Sequence, residues 1–298
     1  MPGGQTEPSL VKANGLELCT DQFGDPAAPP LVLIMGLAAQ MISWDDAFCS
    51  ALAARGYRVI RFDNRDIGKS TWLPALGVPN TMALMAKAAI GLKTKVPYTL
   101  RDMAADTTGL LDALGIARAH VVGASMGGAI AQELAVHFSS RIATITSIMS
   151  STGDPHLPPP SAAAMSILFA PAPPSRDAYI AHHRNVLRVL RGAHFREDEA
   201  GDGDRAARNF DRGLNPSGVA RQFAAIIASG NRTAALSKIT TPALVIHGDA
   251  DPLVRVDGGR ATARAIPGAK LEILPGMGHT LPRALWPRII DAIAGHAQ

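Results

Sequence analysis

The sequence predicts an α/β domain: a mostly parallel sheet flanked by helices, with a helical cap inserted into it. Three observations predict this. Short apolar, β-branched runs recur along the chain, helical patterns alternate with them, and the alternation stops between residues 151 and 232. Continuous apolar runs of four to seven residues suit strands covered on both faces of a parallel sheet. Strands that alternate with helices call for right-handed crossovers.

The first run is 31–34, Leu-Val-Leu-Ile, followed by a helical pattern over 45–55 and a strand over 57–62. A further apolar stretch covers 82–92. The helix predicted over 100–114 has Met103, Leu110, Leu111 and Leu114 at helical spacing, and Gly115 stops it. A strand over 120–122 leads through a glycine-rich turn into an apolar helix, and 142–148 is the next strand. The break then opens with seven prolines between 155 and 174. Two helical stretches follow. The first has Ser175 as N-cap and Asp177 in its first turn; Tyr179, His183, Val186, Leu187 and Leu190 share one face, Arg184, Arg188 and Arg191 another, and Gly192 ends it. The second covers 217–229 with Val219, Phe223, Ile226 and Ile227 together, and the polar stretch 197–204 separates the two. Strands over 243–246 and 270–274 resume the sheet. The expected organisation is a core of 1–150 and 233–298 around a cap of 151–232.

Composition excludes several function classes. The chain has 298 residues, 47% hydrophobic and 18% charged, which is neither a disordered nor a collagen-like composition. Its longest clean apolar run, 31–35, is far short of a membrane span. The opening Met1-Pro2-Gly3-Gly4 begins no basic segment followed by an apolar one, so the expectation is a cytoplasmic protein with no integral membrane part. A net charge of +4 with no run of five Lys or Arg argues against nucleic acid as a partner. Cys19 and Cys49 lie in different expected elements and have no zinc-type spacing, and in a large cytosolic chain they read as small buried hydrophobes. None of the nine histidines belongs to an H-E-x-x-H pattern, so no metal is expected. Gly68-Lys69-Ser70 ends like a phosphate loop, but Asp63 stands where that loop needs glycine, and no G-x-G-x-x-G follows a strand. Arg65 and Asp66 are expected to brace this loop. No cofactor is expected.

The chemistry concentrates in three places. Gly123-x-Ser125-x-Gly127 lies between an expected strand and an expected helix. A strand turning sharply into a helix exposes its apex side chain in a strained conformation, and neighbours two positions away pass close to other backbone, which favours glycine. The N–H of Met126 lies at the helix N-terminus, where free amides stabilise a developing oxyanion. A serine needs a base, and His279 is the best candidate, in the glycine-rich loop Pro275-Gly276-Met277-Gly278 at the C-terminal edge of the sheet. His182, His183 and His194 lie in the cap within possible reach of a substrate; His247 closes a strand. An imidazole needs a carboxylate to fix its tautomer, and two compete in Gly248-Asp249-Ala250-Asp251-Pro252. Pro252 favours an extended Asp251, so Asp251 is assigned the role, while Asp249 is expected to bond nearby amides. After the strand 31–34, the turn Met35-Gly36-Leu37-Ala38-Ala39 offers a second oxyanion donor, the N–H of Leu37.

Five segments in fixed order resemble the α/β-hydrolase superfamily: Met35-Gly36-Leu37, Asp63-x-Arg65-x-x-Gly68-x-Ser70, Gly123-Ala-Ser-Met-Gly127, Gly248-x-x-Asp251-Pro252 and Gly278-His279. The resemblance covers about 15–150 and 235–295 and is weak in the cap. Within it, the first, third and last segments are similar to the aclacinomycin methylesterase branch. Many relatives carry His-Gly where this chain has Met35-Gly36, although the N–H donors do not depend on that histidine. The resemblance implies the α/β-hydrolase fold and a serine carboxylesterase acting on small to medium hydrophobic esters through an acyl-enzyme. In it Ser125, His279 and Asp251 form the triad, and the Leu37 and Met126 N–H groups hold the oxyanion. The same residues would also serve a cofactor-free perhydrolase or haloperoxidase-like enzyme, a thioesterase, a lactonase or a C–C hydrolase; a binding module is the reading from outside enzymology. Met165, Ile167, Leu168 and Phe169 of the cap are expected to shape the substrate pocket. The expected partner is a small-molecule ester; oligomeric state is not readable.

Overall fold

In the computed structural model, which describes residues 4–92, 94–168 and 170–298, the apolar runs form one eight-stranded sheet. Phe169 and Met1-Pro2-Gly3, singled out above, lie outside the described residues. The chain begins with β1 (Ser9–Ala13), β2 (Leu16–Phe23) and β3 (Pro30–Ile34), then α1 (Asp46–Ala53), β4 (Arg58–Phe62), α2 (Thr81–Ala89) and α3 (Leu100–Ala113). It continues through β5 (Ala119–Ala124), α4 (Met126–His137) and β6 (Ile142–Ile148). Five helices follow before the sheet resumes: α5 (Ala162–Leu168), α6 (Arg176–Arg191), α7 (Asp202–Asp211), α8 (Pro216–Ser229) and α9 (Thr233–Leu236). Then come β7 (Ala243–Gly248), α10 (Val256–Ala265), β8 (Lys270–Leu274) and α11 (Trp286–His296).

Strand order is β1-β2-β4-β3-β5-β6-β7-β8. β2 pairs antiparallel with β1 and β4, and every other pairing is parallel. The C-terminal ends of β3, β5, β7 and β8 therefore share one edge, the edge where open α/β sheets bind ligands.

Side chains alternate along β3. Val32 and Ile34 pack with Met103, Leu110 and Ile130 of α3 and α4, whereas Leu31 and Leu33 pack with Phe48, Leu52, Ile289 and Ile293 of α1 and α11. Covering on both faces is the physical reason for an unbroken apolar run. Local chemistry sets the helix ends. Asp45 caps α1 by accepting from the Ala47 N–H, and Thr99 with Asp102 forms a full capping box on α3. Gly115, at φ 67, closes α3 as expected.

The structure holds more elements than the sequence expectation. The antiparallel pair β1 and β2 extends the sheet beyond the predicted strands, α5, α7 and α9 join the two helical stretches expected between β6 and β7, and α10 and α11 follow β7 and β8. α7 starts inside the stretch 197–204, after a 3₁₀ turn over Arg196–Gly201. Its helical signal is faint because Ala206 and Phe210 are its main apolar contacts: Ala206 is buried and the Phe210 ring meets Tyr179 of α6 at 5.6 Å. Asp202 opens α7 with a buried pair to Arg191, the last residue of α6.

Buried ion pairs fasten the helices between β6 and β7 to the loop after β4. Asp66 receives Arg221 of α8 through two hydrogen bonds of 2.6 and 2.8 Å, and both side chains are buried. Tyr98 also donates to Asp66, at 2.8 Å. Arg212, just after α7, pairs with buried Asp63. Arg65 turns the other way and grips Asp106 of α3. The loop after β4 is thus braced on both sides, the role expected of Arg65 and Asp66. Planar guanidinium forks suit such paired contacts.

Candidate active site

β5 ends at Ala124 and α4 starts at Met126, which leaves Ser125 alone at the turn. Its backbone sits at φ 56, ψ −118, a conformation a non-glycine residue rarely adopts. The flanking glycines have a steric reason. A Cβ on Gly123 would overlap the Gly127 carbonyl, and one on Gly127 would overlap the Ile34 carbonyl at the end of β3. Gly36 allows the turn after β3 to approach, since a Cβ there would lie 3.1 Å from the Ser125 Cβ.

His279 stands beyond β8 with Nε2 3.0 Å from Ser125 Oγ, while its Nδ1 lies 2.7 Å from Asp251 Oδ2. Asp251 is buried in the loop after β7. Its Oδ1 accepts from the N–H groups of Leu253 and Val254 at 2.8 and 2.9 Å. Burial pushes the carboxyl pKa up, but the facing His279 and the hydrogen bonds from His247 and His279 outweigh it and hold it well below the ordinary carboxylate value. An ionised carboxylate only accepts, so Nδ1 carries the hydrogen and donates to Asp251. The Nε2 lone pair is then free to accept from the Ser125 hydroxyl. Asp249 is exposed and accepts from the Gly276 N–H at 2.7 Å, a contact that ties two loops and leaves it outside this chain of hydrogen bonds.

Leu37 and Met126 line the same cavity as Ser125. Met126 is the first residue of α4, where amides lack intrahelical partners, and Leu37 follows Gly36 in a turn closed by the Ala39 N–H on the Gly36 carbonyl at 3.3 Å. Ala38 in that turn has φ 61.

Three supporting side chains escape a reading of the sequence. Gln222 of α8, fully buried, accepts from the Ala38 N–H at 3.3 Å and donates to the Arg65 carbonyl at 2.8 Å. Asn64 donates to the Met35 carbonyl at 2.9 Å. His247, buried in β7, donates from Nε2 to the Val254 carbonyl at 2.7 Å, and the same nitrogen lies 3.5 Å from Asp251 Oδ2. The His279 loop is held from the other side. Its N–H donates to the Leu190 carbonyl of α6 at 2.7 Å, and a Cβ on Gly278 would overlap the Leu190 and Arg191 carbonyls.

A cavity of about 1620 Å³ opens over Ser125 and His279. Its walls come from the turn after β3, from α2, and from the helices between β6 and β7. Ile167, Leu168, Val186 and Ile226 supply apolar lining, while Met165 is absent from the wall. His182 and His183 line it, whereas His194 instead faces Gly276. The apolar stretch 82–92 contributes Met85, Ala88 and Leu92.

The alpha/beta hydrolase fold family matches residues 29–282, and the chain belongs to it. Over 315 aligned positions it is 30% identical to rhodomycin D methylesterase DnrP of Streptomyces peucetius, with 97% of each chain covered. Among solved structures it is similar to a hydrolase from Pseudomonas aeruginosa PA01, at 25% identity and a TM-score of 0.72 over 97% of this chain and 98% of that one. It is also similar to the enol-lactonase from Burkholderia xenovorans LB400, at 25% identity and a TM-score of 0.68 over 96% and 97%.

The close approach at the serine turn yields a stability test. Gly127→Ala should cost about 2 kcal/mol or more, because a Cβ must displace the β3 carbonyl. Gly295→Ala in α11, where a Cβ meets nothing within 4 Å, should be neutral or stabilising by about 0.5 kcal/mol. Urea unfolding of both variants measures this; equal effects would contradict the packing at the turn.

Proposed function

We propose that the protein is a serine carboxylesterase that cleaves hydrophobic carboxylic esters through an acyl-enzyme. The observation that carries this reading is the hydrogen-bonded chain from Ser125 through His279 to Asp251, set under a largely apolar cavity. In the proposed reaction His279 takes the Ser125 proton as Oγ attacks the ester carbonyl. The imidazolium forms beside ionised Asp251. The Leu37 and Met126 N–H groups hold the oxyanion. Collapse of the tetrahedral intermediate expels the alcohol, which receives the proton from His279. Water, deprotonated by the same imidazole, then attacks the acyl-Ser125 carbonyl, and collapse of that intermediate breaks the bond to Oγ, which recovers the proton from His279 as the acid leaves.

The helical segment 151–232 serves as a cap in this reading. A cavity of about 1620 Å³ exceeds the ~300–1,000 Å³ usual for small ligands, which favours a substrate with a bulky apolar body. Its methylesterase relatives point to a small leaving alcohol, so methyl esters of bulky apolar acids are the proposed class.

With p-nitrophenyl esters of increasing acyl length, Ser125→Ala should lose at least about a thousandfold in kcat with the fold intact by circular dichroism. Asp251→Asn should lose about a hundredfold and Asp249→Asn less than about threefold. Residual Ser125→Ala activity above about a tenth of wild type, or the reverse ranking of the two aspartates, would contradict the assignment.

Gln222 is proposed as a positioning residue for the oxyanion turn. Gln222→Met keeps its length but removes both hydrogen bonds, so kcat should fall about tenfold or more while KM stays within about twofold. A change confined to KM would place Gln222 in substrate binding and contradict this role.

A further inference from the structure

Eight large apolar side chains are exposed among the described residues. Six of them, Trp72, Leu76, Val78, Met82, Ile90 and Leu92, fall in one stretch of the chain. Single exposed apolar residues need no explanation, but a concentration in one place does. The stretch is built, with Asn80 capping α2 by accepting from the Ala83 N–H at 3.0 Å. α2 rests on α8 and buries Leu84, and Met85 and Ala88 look into the cavity, which leaves Met82 and Ile90 outside. One helix is thus both a wall of the cavity and an apolar surface.

Its charge pattern is one-sided. Residues 71–98 contain no Asp, Glu or Arg and three lysines, Lys87, Lys93 and Lys95. Lys87 and Lys95 are exposed. Lysines beside apolar side chains suit an interface where the stems lie in the apolar layer and the ammonium groups reach anionic headgroups. A second copy of the chain fits less well. A two-fold contact places the same face on both sides, and this face has no carboxylate of its own to meet the lysines.

We propose that the surface formed by 72–92 together with Lys95 docks the protein peripherally on an anionic lipid surface, with α2 at the headgroup boundary beside the cavity. Among the described residues no helix is long and apolar enough to cross a membrane, so the contact is one of surface attachment. Apolar esters dissolved in the lipid would then meet the cavity wall without passing through water.

The test is flotation of the full chain with two kinds of vesicle, phosphatidylcholine alone and phosphatidylcholine mixed with phosphatidylglycerol. Wild type should float with the mixed vesicles, and raised salt should weaken binding. The double variant Met82→Glu, Ile90→Glu and the double variant Lys87→Glu, Lys95→Glu should each lower the partition coefficient at least about tenfold. Both should hydrolyse a soluble p-nitrophenyl ester at the wild-type rate, which shows that they fold. No flotation of wild type, or variants that float equally well, would overturn the proposal. So would light scattering showing a dimer that Met82→Glu, Ile90→Glu dissolves while vesicle binding is unaffected, a result that assigns the face to a second copy.

Discussion

Ser125 holds a left-handed backbone angle that costs about 1–3 kcal/mol, and the surrounding sheet leaves it no alternative. Its N–H is held by the Ile148 carbonyl of β6 at 2.9 Å, and its own carbonyl receives the N–H groups of Gly128 and Ala129 as α4 begins. β3 presses against the turn from the other side, close enough that only glycine fits at 127. The strain is offset by burial on both faces of the sheet. Its consequence is a hydroxyl that projects from the edge of a rigid layer, next to the first free amides of a helix.

The other groups come from loops, and loops need holding. The helices between β6 and β7 hold two of them. The last turn of α6 offers the Leu190 carbonyl to the His279 N–H, and α8 sends Gln222 to the turn that carries Leu37. The pair of Asp66 and Arg221 clamps α8 to the core at a buried point, where the loss of one partner would strand a charge. Around the turn that begins at Met35, Asn64 and Gln222 supply the side-chain hydrogen bonds. Any displacement of the helical segment is therefore coupled to the geometry around Ser125.

What could be read in the sequence was local. Ser125, Asp251 and His279 each sit in a short pattern with a backbone reason: glycines two positions either side of the serine, proline after the aspartate, glycine before the histidine. The strands β3 to β7 were legible because both faces are buried, and β8, an edge strand exposed at its start, was legible from the short run Lys270–Leu274 alone. β1 and β2 were not, since exposed Leu10 and buried Asp21 blur the alternation. α7 was hidden by its polarity and is held by Asp202 and by a ring contact to α6. Gln222 has no local signature at all and gains its role from a partner 184 residues away that the fold brings to it. His247 meets Asp251 and Val254 of the loop that follows it, a contact that depends on how that loop turns back.

If Ser125 alone among the hydroxyls is nucleophilic, covalent labelling will single it out. The chain should be treated with a fluorophosphonate probe at neutral pH, digested, and the modified peptide sequenced by mass spectrometry. A single phosphonylated residue, Ser125, is expected, with loss of labelling in His279→Ala. An unmodified Ser125, or equal labelling without the imidazole, would contradict it.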